Sequence, residues 1–186
     1  IAAITIGSST VAGSIATEAA AIIAGAVTVV GGDAAAEDSQ LDAGANITAG
    51  SIALTPNTGD AILDITANAT IAATIDAVGS GAANAIVEIT GGTGTFSSAV
   101  GGTTAVDSFT LVDGTAAAIN ADFNATTTTI TDAATITYDA ASDQTHTGAI
   151  TATADDDGSL VNANTDGELT FTAAIGTATN AVTEIT

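Results

Sequence analysis

Ala61-Ile-Leu-Asp-Ile-Thr66 is a six-residue segment that recurs as Ala85-Ile-Val-Glu-Ile-Thr90 and again as Ala181-Val-Thr-Glu-Ile-Thr186. In every copy an acidic residue lies two positions before a threonine, and an isoleucine stands between them. Successive side chains of a β-strand point to opposite faces, so the acid and the threonine share one face and the isoleucine takes the other. The segment therefore predicts a half-buried strand that is used three times.

This alternation fixes the expected orientation of four side chains. We expect Glu88 and Glu184 to point toward solvent, and Ile89 and Ile185 to point into the core. The reverse arrangement would require a register shift of one residue, which would move every apolar side chain of the strand to the other face.

A second element also recurs, and its copies align without gaps: Thr70-Ile-Ala-Ala-Thr-Ile75, Thr95-Phe-Ser-Ser-Ala-Val100 and Thr170-Phe-Thr-Ala-Ala-Ile175. Short strands of this kind, separated by Gly, Asn, Asp and Thr, return at a period of about 22 residues. A coil of that length cannot bury its own apolar face, but stacked coils form one narrow core. The repeats predict an all-β parallel β-solenoid, or β-helix, with coils of about 20–25 residues.

The predicted organisation is a single elongated β domain over residues 1–186. Irregular first coils occupy 1–44, the clearest repeats 45–111 and looser repeats 112–186. The alternative is an antiparallel, pilin-like β-sandwich, which also has short strands and frequent turn signals. The repeat favours the solenoid, because the strands of a sandwich need not resemble one another.

The charge composition limits the partners. The chain contains no Lys or Arg and 21 Asp plus Glu, which gives a formal net charge of −21. A surface without cations cannot neutralise phosphates, so we expect no nucleic-acid partner. It attracts divalent cations, and it repels copies of itself at low salt. The longest apolar run, Ala19–Val30, is too short to cross a bilayer, so we expect no membrane insertion.

Two segments resemble the repeats of large bacterial surface proteins, the autotransporter passengers and the filamentous-haemagglutinin-like adhesins. They are Gly94–Leu111 and Gly167–Gly176, in which a Thr-Phe strand precedes a Gly/Thr turn. The first segment then adds a Val/Thr strand. The resemblance implies a right-handed β-helix displayed outside the cell.

One stretch is a candidate metal site. Asn162, Asn164 and Asp166 followed by glycine match the first ligand positions of a calcium loop, and Asp155 and Asp157 add carboxylates from the preceding turn. Position twelve, where a bidentate Glu closes such a loop, is an alanine. Two interpretations remain open: a bound Ca²⁺, which would be the only cofactor, or a solvated acidic turn between strands.

Other motifs carry weaker predictions. Asn46, Asn68 and Asn124 begin Asn-x-Thr sequons, which permit glycosylation in an extracellular protein. His146 is the only histidine, and its surroundings, Asp143–Gly148, are typical of a polar surface turn. No catalytic constellation is predicted.

These features favour a non-enzymatic extracellular structural protein, a subunit or segment of a cell-surface fibre, layer or adhesin stalk. Its expected partner is itself, because strand-like sequence at both ends lacks the lysines and prolines that guard edges against pairing. The first alternative is a pilin-like sandwich subunit that assembles by strand exchange. The second is a carbohydrate-active β-helix enzyme, which would need clustered carboxylates and exposed aromatics for sugar stacking.

Overall fold

The structure is a computed structural model that describes residues 1–8, 10, 20–79 and 83–186, and the backbone of 15–18. The regular secondary structure of the described residues consists of β-strands, which turns, bends and irregular segments connect. The strands are β1 (Ala3–Ile6), β2 (Ile15–Glu18), β3 (Ile22–Ala24), β4 (Ala26–Val30), β5 (Ser39–Ala43), β6 (Ile47–Thr55), β7 (Ala61–Ile65), β8 (Ala69–Ala77), β9 (Ala85–Ile89), β10 (Thr93–Phe96), β11 (Val106–Leu111), β12 (Ala116–Ile119), β13 (Phe123–Ile130), β14 (Thr135–Tyr138), β15 (Gln144–Ala152), β16 (Asp157–Asn162), β17 (Leu169–Phe171) and β18 (Val182–Ile185).

The strands form a parallel β-solenoid of about seven turns. All pairings between the described strands are parallel, and each strand within the stack pairs with its equivalents one coil before and one coil after, whereas the strands at the two ends pair on one side only among the described residues. The predicted fold class is confirmed. The sandwich alternative is wrong, because a sandwich requires antiparallel neighbours.

Each coil has three sides, which the register defines. Face A contains β3, the first part of β6 and β8, and then β10, β12, β14, β16 and β18. Face B contains β1, β4, the later part of β6 and β8, the start of β13 and β15, and β17. Face C contains β2, β5, β7, β9, β11 and the later part of β13 and β15. Because β6, β8, β13 and β15 turn a corner, each contributes to two faces.

The core is a set of side-chain columns that run along the solenoid. On face B one column extends through all the described coils, and its members lie in register with one another: Ile4, Val27, Ile52, Ile75, Val100, Phe123, His146 and Phe171. Ile4 and Phe171 are half-buried, whereas the six members between them are buried. The column is therefore covered everywhere except at its two ends.

Large side chains in the core require small ones beside them. Phe96, Phe109 and Phe123 pack against one another, with ring centroids 4.7 to 6.0 Å apart. In the same layer, a Cβ at Gly94 would lie 2.8 Å from Ile65 Cδ1 and 2.9 Å from Ile89 Cδ1. Glycine at this position leaves room for both isoleucines.

The predicted orientation of the repeated strand is confirmed in its second copy. Glu88 lies on the outer face and Ile89 is fully buried. In the third copy Glu184 is exposed as predicted, but Ile185 is 57% exposed, so its predicted burial is wrong. Ile185 is in register with the buried Leu160 and faces the same way. It remains accessible because no described coil stacks beyond β18.

The third copies of both repeats also lie on a different face from the first two. Ala61–Ile65 pairs in register with Ala85–Ile89 on face C, whereas Val182–Ile185 lies on face A. Likewise Thr70 pairs with Thr95 on face A, and Thr170 lies on face B. Similar strand sequences therefore serve different sides of the coil, because every side presents the same half-buried surface.

Candidate functional site

The residues of the predicted metal site fall into two separate groups. Asp157 begins β16 and Asn162 ends it, which places them roughly 16 Å apart at 3.3 Å per residue. Asp157 Oδ2 accepts hydrogen bonds from Thr153 Oγ1 at 2.7 Å and from the Ala154 N–H at 2.9 Å. Both hydrogen bonds lower the pKa of the Asp157 carboxyl, and the bond from the Thr153 hydroxyl has the larger effect. Asp157 thus closes its own turn, and the structure does not bring it or the exposed Asp155 together with the Asn162–Asp166 loop.

The Asn162–Asp166 loop makes contacts within the solenoid. Asn162 Oδ1 accepts a hydrogen bond from the Asn164 N–H at 3.1 Å, and Asn164 Oδ1 accepts one from the Ala140 N–H at 2.6 Å. Asp166 is exposed. Among the described residues, no three His, Asp or Glu side chains cluster so as to hold a metal ion. Calcium binding by the loop stays a prediction, which titration with CaCl₂ can test.

The three sequon asparagines all lie at coil corners. Asn46 and Asn68 are exposed, and their Oδ1 atoms accept hydrogen bonds from the N–H groups of Thr70 and Thr93, at 2.8 and 2.9 Å. Asn124 is half-buried, and its Nδ2 donates to the Gly101 carbonyl at 3.1 Å. Since Nδ2 is the atom that carries an N-linked glycan, Asn124 is the least suited of the three to modification.

A recurring contact that sequence reasoning missed joins neighbouring coils. A carboxylate or carboxamide oxygen, on the residue directly before a strand, accepts a hydrogen bond from a backbone N–H one coil later. The acceptor and donor pairs are Asp38 and Asp60, Asn46 and Thr70, Asp60 and Asn84, Asn68 and Thr93, Asp122 and Thr145, and Asp143 and Glu168, at 2.7 to 3.0 Å. We call these contacts the inter-coil clasps. They satisfy backbone donors at corners, where the strand ladder is interrupted.

A second acidic feature lies on the outer surface of face C. Asp42, Asp64 and Glu88 occupy the same register position in three successive strands, and we call them the carboxylate ladder. Gln40 Nε2 donates to Asp42 Oδ1 at 2.5 Å, and Thr90 Oγ1 lies 2.7 Å from Asp64 Oδ1. Asp64 is only 5% exposed. Like charges directly opposite each other destabilise neighbouring strands.

Two carboxyl groups of the ladder, those of Asp64 and Glu88, have raised pKa values. Desolvation raises the pKa of Asp64, and the nearby Asp42 carboxylate raises it further, although the Thr90 hydroxyl opposes the change. Desolvation also raises the pKa of Glu88, and the charges of Asp64 and then Asp42 add to the effect. The chain has no Lys or Arg, so no basic side chain of its own can neutralise the ladder.

His146 lies in the core, so its predicted place in a polar surface turn is wrong. It is fully buried within β15, where its Nδ1 lies 2.9 Å from Tyr138 Oη and its Nε2 lies 3.3 Å from Thr128 Oγ1. Its ring stacks on that of Phe123, with centroids 5.4 Å apart and an interplanar angle of 11°. Burial lowers the pKa of His146 to about 4 and raises that of Tyr138. The polar residues of Asp143–Gly148 predict a surface turn, but the register of the face B column places the His146 side chain inside.

The buried polar groups around His146 do not resemble a catalytic triad. Both ring nitrogens contact hydroxyl groups, where a triad would place a carboxylate on one side. Gln144 is buried beside the cluster, and its Nε2 donates to the carbonyls of Ile119 and Ala121 at 2.8 and 2.7 Å. These bonds join adjacent coils through the interior.

Of the concave regions in the described part of the chain, two bear on the function. The larger, of about 510 Å³, is an open surface depression whose polar lining groups include Asp122 and Asn124. Both side chains already bond to backbone, Asp122 through an inter-coil clasp and Asn124 through the Gly101 carbonyl. The smaller, of about 220 Å³, lies at the end of the stack and is mainly apolar. We call it the end cavity, and its lining includes Tyr138, Leu160, Leu169, Phe171 and Ile185.

No protein-family model matches the chain, and no curated protein or solved structure matches it. Within the described part of the chain there is no helix with the length and apolar character needed to cross a membrane.

Proposed function

We propose that the chain is a non-enzymatic structural protein, a subunit or segment of an extracellular fibre, surface layer or adhesin stalk. Its role is to be a stiff rod of uniform cross-section. Seven turns at a strand spacing of about 4.8 Å give a rod roughly 34 Å long. The observation that carries the proposal is the face B column, which runs in register from Ile4 to Phe171.

The use of polar side chains supports this function. The inter-coil clasps direct the oxygens of Asp60, Asp122 and Asp143 to backbone donors of the next coil. His146 and Gln144 are buried polar side chains with groups that could take part in catalysis. Both bond to neighbouring coils. These five side chains, whose groups could bind or transform a ligand, are thus used to hold coils together.

The placement of the aromatic residues bears on the enzyme alternative. A carbohydrate-active solenoid would present aromatic rings to sugars on its outer surface. Here Phe96, Phe109, Phe123 and Tyr138 are buried, and Phe171 is half-buried at the end of the stack. These positions suit packing between coils, and they favour the structural role.

Extracellular display and self-association complete the proposal. The resemblance of Gly94–Leu111 and Gly167–Gly176 to bacterial surface repeats supports display outside the cell. The net charge of −21 predicts that association depends on salt, because screening shortens the range of repulsion between copies.

Sedimentation velocity at low salt and at about 1 M NaCl, where the Debye length is about 3 Å, tests this function. The expected result is a compact monomer at low salt and larger species at high salt whose frictional ratio rises with their mass. Monomers at every protein and salt concentration would contradict the assembly role.

A further inference from the structure

The two ends of the described stack are ends of the same columns. On face B, Ile4 begins the column that Phe171 ends, and both are half-buried. On face A, β3 occupies the first coil and β18 the last. The two ends therefore expose the edges of equivalent strands, so one end can pair with the other.

Among the described residues, nothing covers the end that carries β17 and β18. In the described chain, β17 pairs only with β15 and β18 only with β16, so each strand has one unpaired edge. Between these edges lies the end cavity, and Ile185 on its rim is 57% exposed. An apolar cavity bounded by two free strand edges has the form of a solenoid coil that lacks its neighbour.

The acidic residues are distributed unevenly between the ends. The first 32 residues contain a single acid, Glu18, whereas Asp166, Glu168 and Glu184 lie within the last 24. Contact between two acidic ends would bring six carboxylates together without a compensating Lys or Arg. Contact between unlike ends places most of the acids on one side of the joint, which reduces the repulsion.

We propose that copies of this chain join head to tail, with the first coil of one copy stacked on the last coil of another. This inference rests on the proposed function, since it specifies the surface through which copies associate. In the joint, β1 of one copy stacks on β17 of the other, and β3 stacks on β18. The register of the face B column places Ile4 of the second copy over Phe171, beside the end cavity.

The direction of the strands supports unlike ends over like ends. Joining two like ends reverses the sense of the coil, so the strands would meet antiparallel. Joining unlike ends keeps the parallel arrangement of all the described strand pairs. It also gives the edges of β17 and β18 the backbone partners that they lack among the described residues of one copy.

Two single-cysteine variants test the polarity of the joint, since the chain contains no cysteine of its own. Thr5→Cys and Thr172→Cys change exposed residues that follow Ile4 and Phe171 on the outer surface. The variants carry tags of different mass, are mixed at about 1 M NaCl and are treated with a short bis-maleimide. We expect cross-linked heterodimers to exceed either homodimer at least tenfold.

The outcomes separate this joint from the broader proposal. Homodimers of Thr172→Cys as abundant as heterodimers would overturn head-to-tail polarity. Larger species in sedimentation without heterodimer cross-links would overturn the joint and leave the fibre or layer standing, with copies associating through their sides. Monomers throughout would overturn both proposals.

A charge placed in the joint provides a second test. Phe171→Asp is expected to weaken association at least tenfold, with the circular dichroism of the single chain preserved. Val78→Asp is the matched control, because Val78 is 47% exposed and lies away from both ends. Equal effects of the two substitutions would contradict a specific role for the end cavity.

Discussion

Asp60 Oδ1 accepts a hydrogen bond from the backbone N–H of Asn84, one coil later, at 2.7 Å, and the Asn84 side chain donates to the same oxygen at 3.2 Å. Asp60 in turn donates its own N–H to Asp38 Oδ1 at 2.8 Å. Three successive coils are joined by this chain of contacts. The acidic residues at corners are therefore part of the structure that holds the coils in register.

Replacing Asp60 by alanine tests one inter-coil clasp. The Asn84 N–H loses its acceptor, so we expect Asp60→Ala to lower the free energy of unfolding by about 1 kcal/mol. Asp60→Asn is the matched control, because the carboxamide oxygen still accepts, and it should retain most of the stability. Urea unfolding at neutral pH measures both. Equal losses would mean that the charge of Asp60 matters more than its acceptor.

The core position of Ile89 gives a larger expected effect. Ile89 is fully buried, and truncation to alanine should cost about 2–5 kcal/mol through lost transfer energy and a cavity. Ile86 lies on the same strand with its side chain on the outer surface, so Ile86→Ala should cost clearly less. If urea unfolding gave the two variants the same stability, the assigned orientation of β9 would be wrong.

His146 is the only imidazole in the chain, so its titration can be followed directly by NMR. Burial lowers its pKa to about 4 in the folded state, compared with about 6.5 in an unfolded chain. The stability that this neutral histidine contributes is complete above pH 6.5 and is lost as the pH falls toward 4. The full loss is about 3 kcal/mol. An imidazole that titrates near pH 6.5 in the folded protein would contradict its buried position.

The carboxylate ladder has a pH dependence of the opposite sign. Because the pKa values of Asp64 and Glu88 are raised in the folded state, their charged forms destabilise the protein at neutral pH. This penalty is relieved as the pH falls through the raised pKa values toward about 4. Glu88→Gln should therefore raise the free energy of unfolding at pH 7 by about 0.5 kcal/mol. It should also reduce the gain in stability that accompanies acidification.

The exposed Glu184 provides the control for that substitution. It stands opposite Ser159, so no carboxylate occupies the paired position. Glu184→Gln should leave the free energy of unfolding at pH 7 nearly unchanged, and should stabilise the protein clearly less than Glu88→Gln does. If denaturant unfolding showed the same stabilisation for both glutamines, the ladder would have no effect beyond net charge.

The solenoid could be predicted from sequence because strands that stack on one another have similar sequences. Ala61–Ile65 and Ala85–Ile89 are alike in sequence and lie directly in register, so the similarity predicts the stacking. The buried His146 could not be predicted in this way, since polar residues surround it and only the register with Phe123 and Phe171 turns it inward.

The inter-coil clasps did leave a signal in the sequence. Asp60, Asn68, Asp122 and Asp143 each stand directly before a strand, at corners that recur with the coil. A single such residue is typical of any turn. Their contacts become visible only when the coils are stacked, because the acceptor and donor lie 22 to 25 residues apart.

Stacking that continues from one copy into the next is tested most directly by electron cryo-microscopy of assemblies formed at about 1 M NaCl. The expected result is a filament one coil wide, with strands perpendicular to its axis and a repeat of about 4.8 Å along that axis. Filaments whose strands run along the axis, or separate particles one rod long at every protein concentration, would contradict it.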